Sequence, residues 1–399
     1  MAGQILADVI FNFQNVVCTD IVNFDNILLF LKFGFRRPEK IKEVNMKSRA
    51  ALFVGKDQPL VVDEIEVPAP RADQVIVRLT YTGLCHSQLH QMAAGERLET
   101  PSILGHEAAG NVTHVGSGVK DLKEGDQVIV TWVSKYNDVF SGGLPAQDPP
   151  GTTYKGKPIS EVVVHAWAQD VLALEKYVVK IKDDDRADLA AIVGCAVLTG
   201  AGAVKNTAKV RPGNSVAVIG AGGVGLSAIQ MASILHAYPV IAVDLDDGKL
   251  EFARQFGATH TINASSTDAV EAIHEITGIG ADFAFDTIGV RAATEQILPA
   301  VRAGGMGADN RGGTAVLVGM PDPEITIDPN LFMLGQRSFL GSLGATYPIE
   351  DFEMFLRWYR EGKFPLDKLV TKRFKLEEIN EACDELRAGK ILGRAVIEL

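Results

Sequence analysis

Short runs of alternating apolar and polar residues fill the chain between residues 49 and 133, and turn-forming residues separate them. Alternation with a period of two predicts β-strands that are buried on one face. The predicted strands span residues 61–67, 74–80, 109–115 and 127–132. We therefore predict that this part of the chain is mostly β.

Between about residues 197 and 343, short apolar runs alternate with stretches that are long enough to form helices. This alternation is typical of a parallel sheet whose strands are connected by helices. The predicted strands span residues 216–219, 240–243, 281–286 and 314–318. The sequence therefore predicts an α/β fold with a doubly wound parallel sheet.

After two helices, the C-terminal part of the chain returns to β-structure. Apolar spacing predicts helices over residues 349–362 and 376–387, and a final strand at 394–399. We interpret the parallel-sheet domain as an insertion into a β-rich domain, with the ligand in the cleft between them. The predicted domains are 46–196 together with 344–399 for the β-rich domain, and 197–343 for the inserted domain.

The first 45 residues differ in pattern from the rest of the chain. The apolar run at 27–31 is much shorter than the ~20 residues that cross a bilayer, and its flanks are not those of a signal peptide. The segment 46–52 is typical of a natural start immediately before the first strand. We expect residues 1–45 to be a mis-assigned upstream start or a dispensable extension, and we expect no membrane partner.

Composition narrows the class of protein further. The 399 residues are 47% hydrophobic and 22% charged, which is typical of a globular chain with about two domains. The 39 basic and 50 acidic residues give a formal net charge of −11 without a basic block, so we expect no nucleic-acid partner. Four widely spaced cysteines are not a disulfide framework, and they favour a cytoplasmic location.

A glycine-rich string, Gly-Ala-Gly-Gly-Val-Gly at residues 220–225, lies between the strand predicted at 216–219 and an apolar, helix-compatible run at 226–236. In a dinucleotide-binding unit the first glycine allows a tight turn, the second lets the backbone approach a pyrophosphate, and the third lets helix and strand pack closely. The phosphates then lie at a helix N-terminus, which favours anions. The alternative is a glycine-rich structural turn in another kind of α/β protein.

The acid that follows this string favours NAD over NADP. Asp244 ends the second predicted strand 19 residues after Gly225, close to the ~20 expected for an acid that binds the ribose hydroxyl. The next three residues are Leu-Asp-Asp, without an arginine, so a 2′-phosphate would be repelled. We therefore predict NAD as the cofactor.

Two cysteines and a histidine lie N-terminal to the glycine string. Cys85 stands in Gly-Leu-Cys-His-Ser, His106 in Gly-His-Glu, and Cys195 in Gly-Cys-Ala-Val-Leu-Thr-Gly. Together they would give zinc three ligands and leave a fourth position for water or substrate, as in a catalytic zinc site. On the residues alone, two buried core thiols and a hydrogen-bonded structural histidine are at least as good an interpretation.

Along the chain, these three motifs are followed by the glycine string and then by Val-Asp-Leu-Asp at residues 243–246. With these five motifs in this order, residues 46–399 strongly resemble the zinc-dependent, medium-chain alcohol dehydrogenases. The resemblance implies a Rossmann domain inserted into a GroES-like catalytic domain. It implies that a hydride passes between a small-molecule alcohol and NAD, with an aldehyde or ketone in the reverse direction, while zinc acts as a Lewis acid. It also implies a homodimer or homotetramer.

The resemblance further implies roles for individual residues. Cys85, His106 and Cys195 would bind zinc, with Glu107 as an alternate ligand during exchange, and Trp132 would form a wall of the substrate pocket.

A proton relay and a cofactor site are implied in the same way. Ser87 would hydrogen-bond the alcohol, and the proton would pass through the cofactor ribose to His90 and solvent. A turn hydroxyl and a solvated surface histidine are the alternatives for these two residues. The residues implied at the cofactor are His86, Thr199, Gly220, Gly222, Gly223, Val224, Gly225, Asp244, Lys249, Val318 and Arg394.

Three features depart from the family pattern. Residues 134–165 contain no cysteine, and Tyr136 stands where the first ligand of a second, structural zinc would be, so we predict one zinc for each subunit. Gln88 stands where the family usually has an aspartate that supports the zinc-binding histidine. Residues 302–313 are expected to form a surface loop with an insertion.

Two alternatives stay open. One is a dehydrogenase of a glutathione adduct of formaldehyde, although no basic site for its carboxylates is evident near Trp132. The other is a non-catalytic nucleotide-binding relative, which would be expected to lose zinc ligands or the Ser87 hydroxyl.

Overall fold

In the computed structural model, Val44–Leu399 form one compact unit. The structure describes residues 46–95, 101–136, 151–161, 164–307 and 311–399, all of them in this unit. The expectation for residues 1–45 lies outside the described residues and stays a prediction.

Strands are the main regular structure of the described chain before residue 181, and they return at its C-terminus. The strands are β1 (Met46–Phe53), β2 (Val61–Val67), β3 (Gln74–Leu84), β4 (Ser102–Ile103), β5 (Glu107–Val115), β6 (Gln127–Thr131), β7 (Thr153–Tyr154), β8 (Lys157–Pro158), β9 (Ser160–Glu161), β10 (Asp170–Leu174), β11 (Val178–Lys180), β12 (Val216–Ile219), β13 (Val240–Asp244), β14 (His260–Asn263), β15 (Phe283–Asp286), β16 (Thr314–Leu317), β17 (Ser338–Gly341), β18 (Val370–Lys375) and β19 (Arg394–Glu398).

Helices connect the later strands. They are α1 (His86–Ala93), α2 (Ala187–Thr207), α3 (Gly223–Ile234), α4 (Asp247–Arg254), α5 (Ala269–Thr277), α6 (Arg291–Ala300), α7 (Asn330–Met333), α8 (Pro348–Arg360), α9 (Leu366–Leu369) and α10 (Ile379–Arg387). Two short 3₁₀ segments, Glu175–Tyr177 and Leu376–Glu378, complete the described elements.

Two sheets of largely antiparallel strands form the β-rich part. The described residues place six strands in the order β8-β7-β2-β1-β4-β9 in one sheet, and β11-β6-β5-β3-β19-β18 in the other. The long strand β3 pairs along one side with β5, and along its other side with β10 at its start and β19 at its end. The C-terminal strand is therefore hydrogen-bonded to the strand that leads directly to Cys85.

The third sheet is parallel throughout and has the order β14-β13-β12-β15-β16-β17. Numbered from its first strand, this order is 3-2-1-4-5-6, that of a dinucleotide-binding doubly wound fold. All four residues of β12 are buried, as expected for a central strand that helices cover on both faces. The predicted α/β fold class is confirmed.

Local sequence signals explain several helix ends. The side chain of Asp246 accepts the backbone N–H groups of Gly248 and Lys249 at the start of α4, and Asp268 accepts that of Glu271 at the start of α5. Helix α5 ends at Gly278, which has a φ of 81° and forms a left-handed cap.

Helix α2 is the one helix in the described residues that is long and apolar enough to cross a membrane. In the folded chain, 89% of its apolar window is buried inside the protein. It packs in one continuous hydrophobic cluster with residues of the second β-rich sheet, such as Ile129, and of the parallel sheet, such as Val218. We therefore describe α2 as a core helix.

Every predicted strand is present within a few residues of its predicted bounds. The predicted helix at 349–362 is α8, and the one at 376–387 begins as a 3₁₀ turn before α10. Sequence reasoning did not predict α2, nor strands such as β10, β14, β17 and β18. Helix α2 is largely buried and shows no amphipathic period, and β14 and β17 are four-residue edges of the parallel sheet.

Candidate active site

The two cysteines and the histidine meet at one point. The Sγ atoms of Cys85 and Cys195 and a ring nitrogen of His106 all lie within 4.8 Å of one another. His106 Nε2 lies 3.2 Å from Cys195 Sγ. We call these three residues the Cys–His–Cys cluster.

Three different elements position the cluster. Cys85 is the N-cap of α1, directly after β3, and His106 immediately precedes β5. Cys195 lies within a π-helical segment of α2, Val193–Val197, a local widening that is frequent at functional sites.

Close backbone packing holds these segments in place. Gly105 has a φ of 97°, and a side chain there would collide with Trp167. The Thr131 hydroxyl, at the end of β6, donates a hydrogen bond of 2.6 Å to the Gly194 carbonyl oxygen. That bond ties the segment carrying Cys195 to the β-rich part of the chain.

The two thiols ionise unequally. A hydrogen bond from Cys195 lowers the pKa of Cys85 well below its usual value, with help from His106 and Arg394. The pKa of Cys195 is raised because its proton is held by Cys85 and because the site is buried. A second thiolate beside the first therefore needs a cation for charge compensation.

This donor set fits zinc. Two sulfurs and one imidazole nitrogen in tetrahedral range are ligands that zinc prefers, and three protein ligands leave one position open. The charge that a second thiolate would bring is the charge that a divalent cation neutralises.

Polar atoms without partners surround the cluster. Ser87 Oγ, Trp132 Nε1 and Thr199 Oγ1 are buried and have no hydrogen-bond partner among the described residues. Trp132 and Thr199 lie close enough to the Cys195 sulfur to lower the pKa of that thiol, although neither forms a hydrogen bond of normal geometry. Buried polar atoms without a hydrogen-bond partner are uncommon in proteins, so we expect a bound ligand to supply the missing hydrogen bonds.

Gln88 lies beneath the cluster and is 1% exposed. Its Oε1 accepts the backbone N–H of Cys85 at 3.0 Å, and its Nε2 contacts Nδ1 of His106. Gln88, which departs from the family pattern, thus contacts the backbone of one cluster residue and the imidazole ring of another.

Glu107 and Arg394 form a buried ion pair beside the cluster, with side chains that are 1% and 6% exposed. Glu107 Oε2 also accepts the Ala196 backbone N–H at 3.4 Å. A side chain on Gly83 would overlap the Glu107 carboxylate, so that glycine makes room for the pair. Sequence reasoning placed these two residues in different sites and missed their contact, since they are 287 positions apart.

The glycine string turns between β12 and α3 as predicted. Gly220 has a φ of 99°, a conformation that only glycine adopts readily. A side chain at Gly222 would meet nothing within 4 Å, whereas one at Gly225 would lie 1.8 Å from the Gly220 carbonyl oxygen. A side chain at Gly223 would overlap Arg394.

Asp244 lies at the end of β13 and is bound to the glycine string. Its Oδ2 accepts the Ala221 N–H at 2.8 Å, and its Oδ1 accepts the Leu245 N–H at 2.8 Å. Val224 lies in the first turn of α3, and Val318 directly follows β16 in the same sheet.

Several basic side chains lie near His86. Partial desolvation by its neighbours lowers the pKa of the exposed His86 from its usual value, and the nearby Arg394, His90 and Lys249 lower it further, against an opposing effect of Cys85. Arg394 Nε is buried without a partner among the described residues. Arg394 also lies against Gly223, the first residue of α3, and a positive charge beside a helix N-terminus suits an anion.

Tyr136, at the predicted position of a missing zinc ligand, takes part in a polar network. Its hydroxyl donates a 3.1 Å hydrogen bond to Asp121, and burial together with Asp121 raises its pKa to about 12. The neighbouring Lys135, 4% exposed, lies 3.7 Å from Asp121 and 3.9 Å from Glu175. Residues 137–150 lie outside the described part of the chain.

Family comparisons agree with this geometry. Residues 71–183 match the model of the alcohol dehydrogenase GroES-like domain, and residues 223–361 match that of zinc-binding dehydrogenases. This chain belongs to the zinc-dependent alcohol dehydrogenase family. The predicted family and the predicted reaction class are confirmed.

Individual members of the family align over nearly their full length. An NDMA-dependent alcohol dehydrogenase from Amycolatopsis methanolica is 32% identical, over 86% of this chain and 97% of its own. An S-(hydroxymethyl)glutathione dehydrogenase from Haemophilus influenzae is 31% identical, over 90% of this chain and 99% of its own. The crystal structure of benzyl alcohol dehydrogenase from Acinetobacter calcoaceticus superposes with a TM-score of 0.80 at 30% identity, over 89% of this chain and 99% of its own.

Proposed function

We propose that this chain transfers a hydride between a small alcohol and NAD, with an aldehyde or ketone as the oxidised product. The observation that carries the proposal is the position of Arg394. Its guanidinium pairs with Glu107, next to His106, while its side chain packs against Gly223. The metal donors and the glycine string therefore lie on two sides of one buried side chain.

We assign one zinc to Cys85, His106 and Cys195, and no structural zinc. A zinc ion held there supplies Lewis acidity toward an alcohol hydroxyl, and a nicotinamide supplies the hydride acceptor. Glu107 can act as an alternate ligand only when its ion pair with Arg394 opens.

Ser87 is proposed to accept a hydrogen bond from the alcohol and to relay its proton, releasing its own hydroxyl proton toward His90 as it takes that of the alcohol. Its Oγ is buried and free to accept, two residues after a metal donor. His90 follows three residues later in α1, so both side chains lie on one face of the helix. His90 is exposed and connects this face to solvent. Trp132 is assigned to the pocket wall.

We propose the glycine string, Thr199, Val224 and Val318 as contacts for NAD, with His86 and Arg394 near its pyrophosphate. Asp244 and Lys249 are proposed to bind the adenosine ribose. Arg394 lies against Gly223, the first residue of α3, and its charge acts on His86, which supports the phosphate position. Asp244 is followed by two further acids, which supports NAD over NADP.

The proposal is tested with Cys85→Ala and Ser87→Ala. NADH absorbance is followed with a panel of primary, secondary and aromatic alcohols, and Cys383→Ala serves as a matched control, because Cys383 is a buried thiol in α10. We expect both site variants to lose most of the turnover of the wild type while the control keeps it. Unchanged turnover in both would refute the mechanism, and a wild type inactive with every alcohol would favour a non-catalytic relative.

S-(hydroxymethyl)glutathione belongs in the same panel, since one relative is named for that substrate. A site for its carboxylates needs a free basic side chain near the pocket. Lys135, three residues after Trp132, is committed to Asp121 and Glu175. We therefore expect simple alcohols to be better substrates than the glutathione adduct.

We further propose that one domain comprises residues 46–196 and 344–399 and the other residues 197–343. The protein is proposed to be cytoplasmic and to form a homodimer.

The dimer proposal rests on β17, which is one edge of the parallel sheet. Exposed apolar residues lie on or near that edge: Phe332, Met333, Leu334, Leu340 and Leu343. A second copy related by a two-fold axis would pair with the edge strand and cover these side chains.

Light scattering tests the dimer. The wild type should have twice the mass of one chain, and Leu340→Lys should shift the mass toward that of a monomer. A monomeric wild type would refute this part of the proposal.

A further inference from the structure

The side-chain amide of Gln88 has one acceptor atom and one donor atom, and which of them faces His106 affects the metal site. Gln88 is the third residue of α1 and is 1% exposed, so its amide is screened from solvent. Its two polar atoms have separate partners. The Oε1 accepts the backbone N–H of Cys85, and the Nε2 faces Nδ1 of His106.

The first of these contacts fixes the orientation of the amide. The Cys85 N–H can only donate, so the Gln88 atom that receives it at 3.0 Å must be the carbonyl oxygen. The amide nitrogen then points at His106, and an amide nitrogen can also only donate. Gln88 therefore offers Nδ1 of His106 a donor and no acceptor.

This arrangement opposes metal binding through the other ring nitrogen. Nε2 is the atom that lies 3.2 Å from Cys195 Sγ and faces the cluster. A neutral imidazole that ligates a metal through Nε2 carries its single proton on Nδ1, and that N–H needs an acceptor. The single carbonyl oxygen of Gln88 cannot serve both that N–H and the N–H of Cys85, which lie on opposite sides of the amide.

We infer that Gln88 is a positioning residue that weakens zinc binding at this site, because one buried N–H group lacks an acceptor whenever His106 ligates the metal. A carboxylate of the same length would accept both N–H groups. The chain thus holds its zinc less tightly than the same site with Glu at position 88. This inference rests on the proposed zinc site and adds the direction and cause of an effect on zinc affinity.

Three variants test the inference: Gln88→Glu, Gln88→Ala and Gln74→Glu. The last is the matched control, since Gln74 is also buried in the β-rich part, also accepts a backbone N–H through Oε1, and gains the same charge. Zinc affinity is measured by competition with a chromophoric chelator. We expect Gln88→Glu to bind zinc about ten-fold more tightly than the wild type. Gln88→Ala supplies no acceptor for His106 either, so its zinc affinity should lie much closer to that of the wild type than to that of Gln88→Glu, and Gln74→Glu should be unchanged.

A second readout separates hydrogen bonding from charge. In the zinc-loaded proteins, hydrogen–deuterium exchange at the Cys85 backbone amide should be slower in Gln88→Glu than in the wild type, since the carboxylate accepts that N–H as well as Nδ1–H of His106. Gln74→Glu should exchange like the wild type at Cys85.

Equal or weaker zinc binding in Gln88→Glu, or equal tightening in Gln74→Glu, would overturn the inference while leaving the proposed function intact. Failure of the proposed function has a different signature: the wild type would bind no zinc, or would bind it equally well after Cys195→Ala.

Discussion

The glycine string and the Cys–His–Cys cluster lie on either side of Arg394, yet they are built in different ways. The string, its strand β12, its helix α3 and Asp244 all come from residues 216–244. The cluster needs β3, the start of β5 and the π-helical segment of α2, and its two cysteines are 110 positions apart. A local unit is set by short-range conformational preferences, whereas an assembled site exists only when distant elements pack correctly. The two regions should therefore fail separately when mutated, except at Arg394.

Removal of a metal donor should have the largest effect on activity. In Cys195→Ala, loss of a thiolate should abolish stoichiometric zinc and lower kcat/KM by about three orders of magnitude or more, since metal-assisted ionisation contributes several kcal/mol. Zinc content and NADH binding are measured on the same sample. Because the glycine string is local, NADH binding should persist, and its loss together with zinc would show that the two regions are not separable.

Arg394→Met should damage both regions. It leaves the Glu107 carboxylate buried without its partner, which typically costs about 3–5 kcal/mol, and it removes the side chain that lies against Gly223. Chemical unfolding and NADH titration report the two effects. The double variant Arg394→Met with Glu107→Gln should recover part of the stability but not the NADH affinity. Full recovery of both would contradict a cofactor role for Arg394.

Two glycine variants distinguish packing from ligand approach within the string. Gly225→Ala places a methyl group against the Gly220 backbone and should cost about 1–3 kcal/mol of folding stability. Gly222→Ala points into open space, so we expect an unchanged melting temperature with weaker NAD binding. Thermal unfolding and NAD titration separate them, and both variants should keep their zinc. Equal destabilisation by the two would argue against this division of roles.

The smallest expected effect is on cofactor preference. Asp244→Asn keeps one acceptor for the backbone of the string but removes the negative charge that repels a 2′-phosphate. The ratio of kcat/KM for NAD over NADP should fall by about ten-fold, which is about 1.4 kcal/mol. The same substitution at the neighbouring Asp246, which caps α4, is the control for lost charge alone. An equal fall of the ratio in both variants would mean that the overall negative charge of this region, and not Asp244 itself, sets the preference for NAD.

Much of the fold was predictable, because its main signals are local. Burial of every residue in β12, alternation in β2 and the caps at Asp246 and Asp268 all depend on nearby sequence. Helix α2 was missed because a helix buried on all sides shows no amphipathic period, and β17 because its four residues form an exposed sheet edge. For the cluster, each motif was visible, but its meaning came from the family resemblance and not from spacing.

The sequence by itself determined the turn at Gly220, the distance from Gly225 to Asp244, the absence of cysteine between residues 134 and 165, and the presence of an amide at position 88. Tertiary structure decided that three donors meet within 4.8 Å, that Arg394 pairs with Glu107, and that the Gln88 amide presents its nitrogen to His106. The physical reason is range. Backbone preference acts over a few residues, while ligand geometry and hydrogen-bond direction depend on how strands and helices far apart in the chain pack around one buried point.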